Sequence, residues 1–217
     1  MQVAIVKYGA GNVYSVVHAL RRCGVEPLLT DDNERIRQAD RVIFPGQGEA
    51  ATTMQSVFGQ GLDQLIPQLR QPVLGICIGQ QLMCSFSQES GGTPCIGIFP
   101  ETQVLRFEPQ SQEDKIPHMG WNTIKSRVVS PVEQPSQADV SVPAAGSPLL
   151  KGLDGAYFYF VHSYYVPVNR FTIATCEYCG TPFSAAMQHR NFYATQFHPE
   201  KSGEAGERLL HNFLSLA

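Results

Sequence analysis

The sequence is poor in the features that direct a chain to a membrane or to nucleic acid. No apolar run approaches the roughly 20 residues that a membrane-spanning helix needs. Charged residues make up 16% of the 217 residues, and the net charge of −3 provides no basic excess for binding nucleic acid. The first residues lack the charged region and long apolar core of a signal peptide. We therefore expect a cytoplasmic protein that binds neither a membrane nor nucleic acid.

The sequence also lacks a cysteine framework, because its six cysteines are scattered along the chain. Cys176-Glu-Tyr-Cys179 has the spacing of half a zinc site, but a structural zinc ion needs four ligands and no second pair stands at suitable spacing. A redox Cys-x-x-Cys normally opens a helix, whereas Gly180-Thr-Pro182 follows here. The sequence therefore predicts neither a metal ion nor another cofactor.

The first ninety residues alternate short apolar segments with segments of helical periodicity. Residues 3–6, 26–29 and 41–44 read as strands, and apolar residues recur at helical spacing between residues 13 and 20. This alternation predicts an α/β fold with a mostly parallel central sheet and helices on both faces. Ligands of such sheets bind beyond the carboxyl ends of the strands.

The second half, from about residue 96 to residue 197, shows short strands separated by Gly and Pro turns. We expect antiparallel strands added to one side of the parallel sheet, with the aromatic segment 157–161 at its centre, and one domain spanning residues 1–217. The segment 130–148 is rich in Pro, Ser and Ala and predicts an exposed loop. A closing helix is expected after Gly203.

Cys77 is the candidate nucleophile. It ends the apolar run Pro72-Val-Leu-Gly-Ile-Cys77 and is flanked by Gly75 and Gly79, as in a tight turn between a buried strand and a helix. The amides at the start of that helix would favour the thiolate, which is the attacking species. An isolated cysteine is more often a buried core residue, so the prediction depends on this strand–turn–helix context.

His198 and Glu200 are the candidate base and its orienting carboxylate. A thiol nucleophile needs an imidazole that takes its proton, and the imidazole needs a partner that fixes its tautomer. The two residues are two apart, so we expect their side chains to project on the same side of an extended segment. The backbone N–H of Ile78 and the loop 46–48 are expected to supply hydrogen bonds to an oxyanion, and Gln81 to contact a polar substrate.

These motifs resemble the class I (triad) glutamine amidotransferases. The resemblance rests on Gly75-Ile-Cys-Ile-Gly-Gln-Gln81 together with His198-Pro-Glu200. Three further segments are similar to the glutaminase subunits of imidazole glycerol phosphate synthases, which act in histidine biosynthesis: Pro117-His-Met-Gly-Trp-Asn122, Tyr157-Phe-Tyr-Phe-Val-His-Ser-Tyr164 and Gln196-Phe-His-Pro-Glu-Lys-Ser202.

The resemblance implies a reaction and a partner. Cys77 would attack the side-chain amide of L-glutamine, with His198 and Glu200 completing the triad, to give glutamate and ammonia. A cyclase subunit with a (β/α)₈ barrel would receive the ammonia. The positions that match residues around the bound glutamine are Gly46, Gly48, Ile78, Gln81, Glu89, Ser163 and Tyr164. The positions that match residues at the interface with the cyclase are Asn12, Trp121, Asn122 and Lys201.

Two departures and several alternatives stay open at this stage. Gln47 stands where the family commonly has valine, and the run after Arg127 is longer than usual. The chain would also suit a paralogous amidotransferase, such as one for surface-sugar amination, or a stand-alone cysteine hydrolase. A non-catalytic subunit would be expected to lack the nucleophile or the base. His118 and His162 lie beside aromatic and apolar residues and are expected to be structural.

Overall fold

The computed structural model describes residues 1–9, 13–46, 48–127 and 146–216. Asn12, Gln47 and most of the predicted 130–148 loop lie outside the described residues. The first half alternates strands and helices in this order: β1 (Val3–Val6), α1 (Val13–Arg22), β2 (Leu28–Thr30), α2 (Asn33–Gln38), β3 (Arg41–Phe44), α3 (Ala50–Gly59), α4 (Leu62–Leu65), β4 (Val73–Ile76) and α5 (Ile78–Leu82).

The remainder of the chain contains mainly strands and ends in a helix. In chain order these elements are β5 (Phe86–Ser87), β6 (Thr93–Pro94), β7 (Gln103–Arg106), β8 (His118–Thr123), β9 (Lys125–Ser126), β10 (Tyr157–His162), β11 (Tyr164–Tyr165), β12 (Thr172–Tyr178), β13 (Thr181–His189), β14 (Phe192–Thr195) and α6 (Gly203–Leu214). No helix among the described residues is both long enough and apolar enough to cross a membrane.

The main sheet, as the described residues form it, has eight strands in the order β2-β1-β3-β4-β14-β13-β12-β9. The strands from β2 to β14 are parallel to one another, whereas β13, β12 and β9 pair antiparallel. The predicted parallel sheet with antiparallel strands added on one side is therefore confirmed. The boundaries of β1 and β3 match the sequence prediction, while β2 begins two residues later than expected.

Helices cover both faces of this sheet, as predicted. Alternate residues of β1 point to opposite faces, so Ile5 lies in one apolar cluster and Val6 in the other. Leu20 of α1 and Phe213 of α6 belong to the first cluster, while Met54 of α3 belongs to the second.

The aromatic segment 157–161 is not at the centre of the main sheet, so this expectation was wrong. It forms β10, which pairs antiparallel with β8 in a separate two-stranded sheet. Phe158 and Phe160 point inward and are buried, whereas Tyr157 is exposed. Side chains along this segment therefore alternate between the core and the solvent. This alternation is expected of a two-stranded ribbon that covers the core on one face only.

Gly206 allows α6 to pack closely on the turn that carries His198 and Glu200. A 3₁₀ turn spans Pro199–Lys201, and the carbonyl oxygen of Pro199 lies only 1.8 Å from where a Cβ of residue 206 would stand. No side chain larger than hydrogen fits this contact without moving the helix or the turn. The close contact therefore links the closing helix to the candidate site.

Gly206→Ala is expected to destabilise the protein by roughly 1–3 kcal/mol, because the added methyl group would force α6 away from the 3₁₀ turn. Gly59→Ala is the matched control, since nothing lies within 4 Å of a Cβ at that helix end. Its effect should stay below about 1 kcal/mol in either direction. Urea unfolding followed by circular dichroism measures both. Equal stability of the two variants would contradict the close packing.

Candidate active site

Cys77 occupies a strained turn between β4 and α5. Its backbone has φ 54° and ψ −107°, a combination that non-glycine residues rarely adopt. Its N–H donates to the carbonyl oxygen of Thr195 over 2.7 Å, so the turn is joined to the end of β14. The structure thus places the thiol at the carboxyl end of the sheet, in the strand–turn–helix context that the sequence predicts.

Two glycines let the loop after β3 lie directly against α5. A Cβ at Gly79 would come within 2.3 Å of the carbonyl oxygen of Phe44, and a Cβ at Gly46 within 1.7 Å of a methyl carbon of Ile78. Gly48, two residues further on, has φ 139°. Gly46 therefore allows close packing of this loop against α5, behind the site. Gly48 lies in the wall of the cavity that contains Cys77.

His198 and Glu200 are joined by a buried hydrogen bond. Nδ1 of His198 lies 2.7 Å from Oε1 of Glu200, and both side chains are almost inaccessible to solvent. The expectation of an extended segment was wrong, because residues 199–201 form the 3₁₀ turn. That turn still brings the two side chains together, since it folds the carboxylate back towards the ring. The His198 N–H also donates to the carbonyl oxygen of Tyr159 on β10, over 2.9 Å.

Electrostatics favours a protonated His198. Burial alone lowers the pKa of the imidazole, but the interactions with Cys77 and with Glu200 outweigh burial and raise this pKa to about 10. The second ring nitrogen, Nε2, is buried and has no hydrogen-bond partner among the described residues. The ring is therefore oriented by Glu200 and keeps one nitrogen available for proton transfer.

Cys77 and His198 line the same cavity, of about 370 Å³. Six of the seven predicted substrate-binding residues also line it, which brings together positions from distant parts of the chain. They are Gly48, Ile78, Gln81, Glu89, Ser163 and Tyr164. The seventh, Gly46, and the catalytic candidate Glu200 do not line the cavity and lie behind its wall.

Glu89 gives the cavity a carboxylate. Its Oε2 accepts a hydrogen bond of 2.7 Å from the N–H of Ala50, at the start of α3. Burial raises the pKa of Glu89, and the hydrogen bond from Ala50 opposes this shift. The carboxylate is thus anchored to α3 at one edge of the cavity.

Sequence reasoning missed several residues around the cavity. Pro117, Val161 and His162 also line its wall. Gln196 is fully buried, and its Nε2 lies 3.7 Å from Sγ of Cys77. The sequence signals for Gln196 were its position two residues before His198 and its place at the start of the segment 196–202, which carries part of the family resemblance. His162 was expected to be structural, and both of its ring nitrogens do have partners.

The ribbon formed by β8 and β10 carries an exposed apolar surface. Met119 is 66% exposed, Trp121 56% and Tyr157 61%, and all three lie on its outer face. Trp121 packs edge-on against Tyr159, with ring centroids 6.2 Å apart. Nζ of Lys201 lies 6.0 Å from the centroid of the same Tyr159 ring. We call Met119, Trp121, Tyr157 and Tyr159 the ribbon surface.

Asn122 lies on the opposite face of β8 from Trp121, because side chains alternate along a strand. Its Nδ2 donates to the carbonyl oxygen of Glu177 over 3.0 Å. Two of the four predicted interface residues, Trp121 and Lys201, therefore lie at or beside the ribbon surface. The side chain of Asn122 points away from that surface, and Asn12 is outside the described residues.

Cys176 and Cys179 lie on a β-hairpin and not at the start of a helix. Cys176 belongs to β12, and Cys179 and Gly180 form the turn into β13, both with positive φ. All six cysteines of the chain are free. In the part of the chain that the structure describes, no group of three His, Cys, Asp or Glu side chains is placed to hold a metal ion.

Comparison with known proteins connects this geometry to a family. Residues 4–216 match the family model described as "Glutamine amidotransferase class-I". The chain is 54% identical over 217 residues to the "Imidazole glycerol phosphate synthase subunit HisH" of Bacteroides fragilis. It is 44% identical over 217 residues to the protein of the same name in Escherichia coli K12. Each match covers 100% of both chains.

Solved structures share the fold. The structure of PurLQS from Thermotoga maritima aligns with a TM-score of 0.67 at 16% identity, covering 98% of this chain and 97% of that chain. A crystal structure of a glutamine amidotransferase aligns with a TM-score of 0.68 at 18% identity, covering 98% and 96%. Because the family model matches almost the whole sequence, the chain belongs to the class-I glutamine amidotransferase family.

Proposed function

We propose that this chain is the glutaminase subunit of an imidazole glycerol phosphate synthase. It would hydrolyse L-glutamine to glutamate and ammonia, and the ammonia would serve histidine biosynthesis. The observation that carries the proposal is the full-length identity of 54% with the Bacteroides fragilis subunit. The shared cavity of Cys77 and His198, with Glu200 behind the ring, supports the glutaminase chemistry.

In the first half of the reaction, the Cys77 thiolate attacks the side-chain carbonyl carbon of glutamine. The carbonyl oxygen becomes an oxyanion, and hydrogen bonds from the Ile78 N–H and from the loop that contains Gly48 would stabilise it. The C–N bond then breaks, and protonated His198 donates its Nε2 proton to the leaving nitrogen. Ammonia departs and a thioester remains on Cys77.

In the second half, water cleaves the thioester. Neutral His198 takes one proton from the water as the oxygen attacks the carbonyl carbon, and the C–S bond breaks to release the Cys77 thiolate. The new carboxylic acid loses the second proton of the water to solvent, which gives glutamate. Glu200 holds the ring in one tautomer and stabilises the imidazolium in both halves. Gln81, Glu89, Ser163 and Tyr164 would surround the rest of the glutamine, with Glu89 supplying negative charge for its α-ammonium group.

The proposal includes a partner and a location. The ribbon surface, with Trp121 at its centre and Lys201 beside it, is proposed to bind a cyclase subunit with a (β/α)₈ barrel, which would receive the ammonia. Aromatic side chains and methionine, such as those of the ribbon surface, are enriched in protein–protein interfaces. We further propose one domain over residues 1–217 and a cytoplasmic location, which the six free cysteines support.

Cys77→Ala is expected to abolish synthesis from glutamine in the complex with the cyclase and to leave synthesis from ammonium salts intact. The sulfur is needed only to release ammonia, so externally supplied ammonia bypasses it. Product formation is measured with each nitrogen source in turn. Loss of both activities would show that the variant fails to fold or to bind the cyclase. Glutamine turnover in the unaltered complex without cyclase product would instead favour a different amidotransferase or a stand-alone hydrolase.

Glu200→Gln is expected to lower kcat for glutamine hydrolysis by roughly 100-fold or more, since the imidazolium loses its oriented partner. Removing the carboxylate also removes one cause of the raised pKa of His198, so that pKa should fall. Glu204→Gln, an exposed change in the first turn of α6, is the matched control. Similar kcat values for the two variants in the complex would rule out the orienting role of Glu200.

Trp121→Ala is expected to weaken binding of the cyclase by on the order of tenfold or more, because a central exposed aromatic side chain typically dominates an interface. Phe58→Ala is the control, since Phe58 is 52% exposed on α3 and is not part of the ribbon surface. Isothermal titration calorimetry measures both affinities, with thermal unfolding as the check on folding. The interface proposal fails if both variants bind the cyclase as tightly as the unaltered chain does.

A further inference from the structure

Gln196 lies beside the reactive sulfur but has no part in the mechanism above. Its side chain is fully buried, and its Nε2 lies 3.7 Å from Sγ of Cys77, within hydrogen-bonding range for sulfur. A side-chain amide has a donor end and an acceptor end, and only its surroundings decide which end faces the sulfur. The partners of Gln196 settle this question.

Gln81 fixes the orientation of Gln196. Nε2 of Gln81 lies 3.1 Å from the carbonyl oxygen of Tyr164 and 3.1 Å from Oε1 of Gln196. The Tyr164 carbonyl oxygen can only accept, so Gln81 must present its NH₂ group there. That NH₂ group can only donate, so Gln196 must turn its oxygen to Gln81 and its own NH₂ group to Cys77.

The Tyr164 carbonyl oxygen also accepts a hydrogen bond from His162, which is in turn paired with His118. Nδ1 of His162 donates to it over 2.8 Å, which leaves Nε2 of His162 as the acceptor. Nδ1 of His118 lies 3.0 Å from that Nε2 and therefore donates, and Nε2 of His118 faces Nδ2 of Asn122 at 3.5 Å. In the hydrogen-bond series from Asn122 through His118 and His162 to Tyr164, each donor thus has an assigned acceptor.

Both imidazoles stay neutral over the working pH range, so these tautomers persist. Burial lowers the pKa of His118 to about 4. Burial also lowers the pKa of His162 to about 3, against the opposing hydrogen bond to Tyr164. The hydrogen-bond series therefore connects β8 to the environment of the sulfur without any charged member.

We propose that Gln196 donates a hydrogen bond to Sγ of Cys77, and that this bond favours the thiolate and holds the sulfur at the cavity wall. A hydrogen bond to an ionised acceptor is about twice as strong as one to a neutral acceptor, so the donor stabilises the charged form more than the thiol. Gln81 is the positioning residue that keeps the donor end towards the sulfur. The inference rests on the proposed function only for Cys77 as the nucleophile.

Gln196→Met tests the donor, since methionine is of similar length and has no N–H group. Alkylation of Cys77 by iodoacetamide is followed against pH in the full chain, with mass spectrometry identifying the peptide that contains Cys77. The midpoint of the profile should move upward by about one pH unit or more. The other titratable groups that face the sulfur or its cavity are all retained; they are Tyr8, Glu89, His162, Tyr164 and His198.

Gln188→Met is the matched control. Gln188 is also buried, but its Nε2 faces the hydroxyl group of Tyr193 and not the sulfur. Its alkylation midpoint should equal that of the unaltered chain. Identical midpoints for the Gln196 and Gln188 variants would overturn the proposal.

In the complex with the cyclase, Gln196→Met should lower glutamine hydrolysis by about tenfold near neutral pH, because less thiolate is present. Synthesis from ammonium salts should be unchanged. An upward shift of the alkylation midpoint without any glutamine turnover in the unaltered complex would refute the proposed function and leave this inference standing. Normal glutamine turnover in the unaltered complex, together with an unshifted alkylation midpoint in Gln196→Met, would refute this inference and leave the proposed function standing.

A measurement on the unaltered chain keeps the proposal testable if Gln196→Met does not fold, as judged by circular dichroism. In protein labelled with ¹⁵N-glutamine, one side-chain amide proton of Gln196 should move downfield as Cys77 ionises. Its midpoint should coincide with that of alkylation. A Gln196 side-chain resonance that does not change across this pH range would overturn the proposal.

Discussion

The site depends on the parallel pairing of β4 with β14. Ile76 stands opposite Thr195, and the Cys77 N–H donates to the Thr195 carbonyl oxygen just beyond the last pair. This register places the turn after β4 beside the turn after β14, so the sulfur and the His198 ring line one cavity. A shift of one residue would turn every side chain of β14 to the opposite face, and the ring would no longer reach the cavity.

Polar groups at this junction are buried, and burial without a partner is unfavourable. Several of these groups are paired by hydrogen bonds whose directions follow from one backbone carbonyl group, whereas Nε2 of His198 has no partner among the described residues. The Tyr164 carbonyl oxygen accepts from both Gln81 and His162, and so sets the orientation of each. The strained backbone of Cys77 persists for a related reason, because its neighbours on β14 and α5 hold it in place.

The two faces of the ribbon of β8 and β10 have different roles. Its inner face buries Phe158 and Phe160 in the core, and its outer face presents Trp121 and Tyr157 to solvent. The carbonyl oxygen of Tyr159 accepts from the backbone N–H of His198, so a strand of the ribbon is bonded directly to the backbone of the candidate base. In the proposed complex, the surface that binds the cyclase would therefore be one hydrogen bond away from the backbone of His198.

Local patterns were sufficient for much of the fold and part of the site. The apolar runs at residues 3–6 and 41–44 predicted β1 and β3 correctly, because a buried parallel strand needs only a short continuous apolar segment. The glycines around Cys77 predicted the turn, because close backbone approach excludes any Cβ. In contrast, the aromatic segment at 157–161 reads equally well as a central strand or as a covering ribbon, since both bury alternate large side chains.

The sequence by itself determined the α/β class, the thiol turn and the identity of the candidate triad, since these depend on residue type and short spacing. Only the tertiary structure decided that Gln196 faces the sulfur, that His118 and His162 form one neutral pair, and that Asn122 points away from the ribbon surface. These relations join residues far apart in the chain. Their geometry follows from strand register and side-chain alternation, which no local pattern encodes.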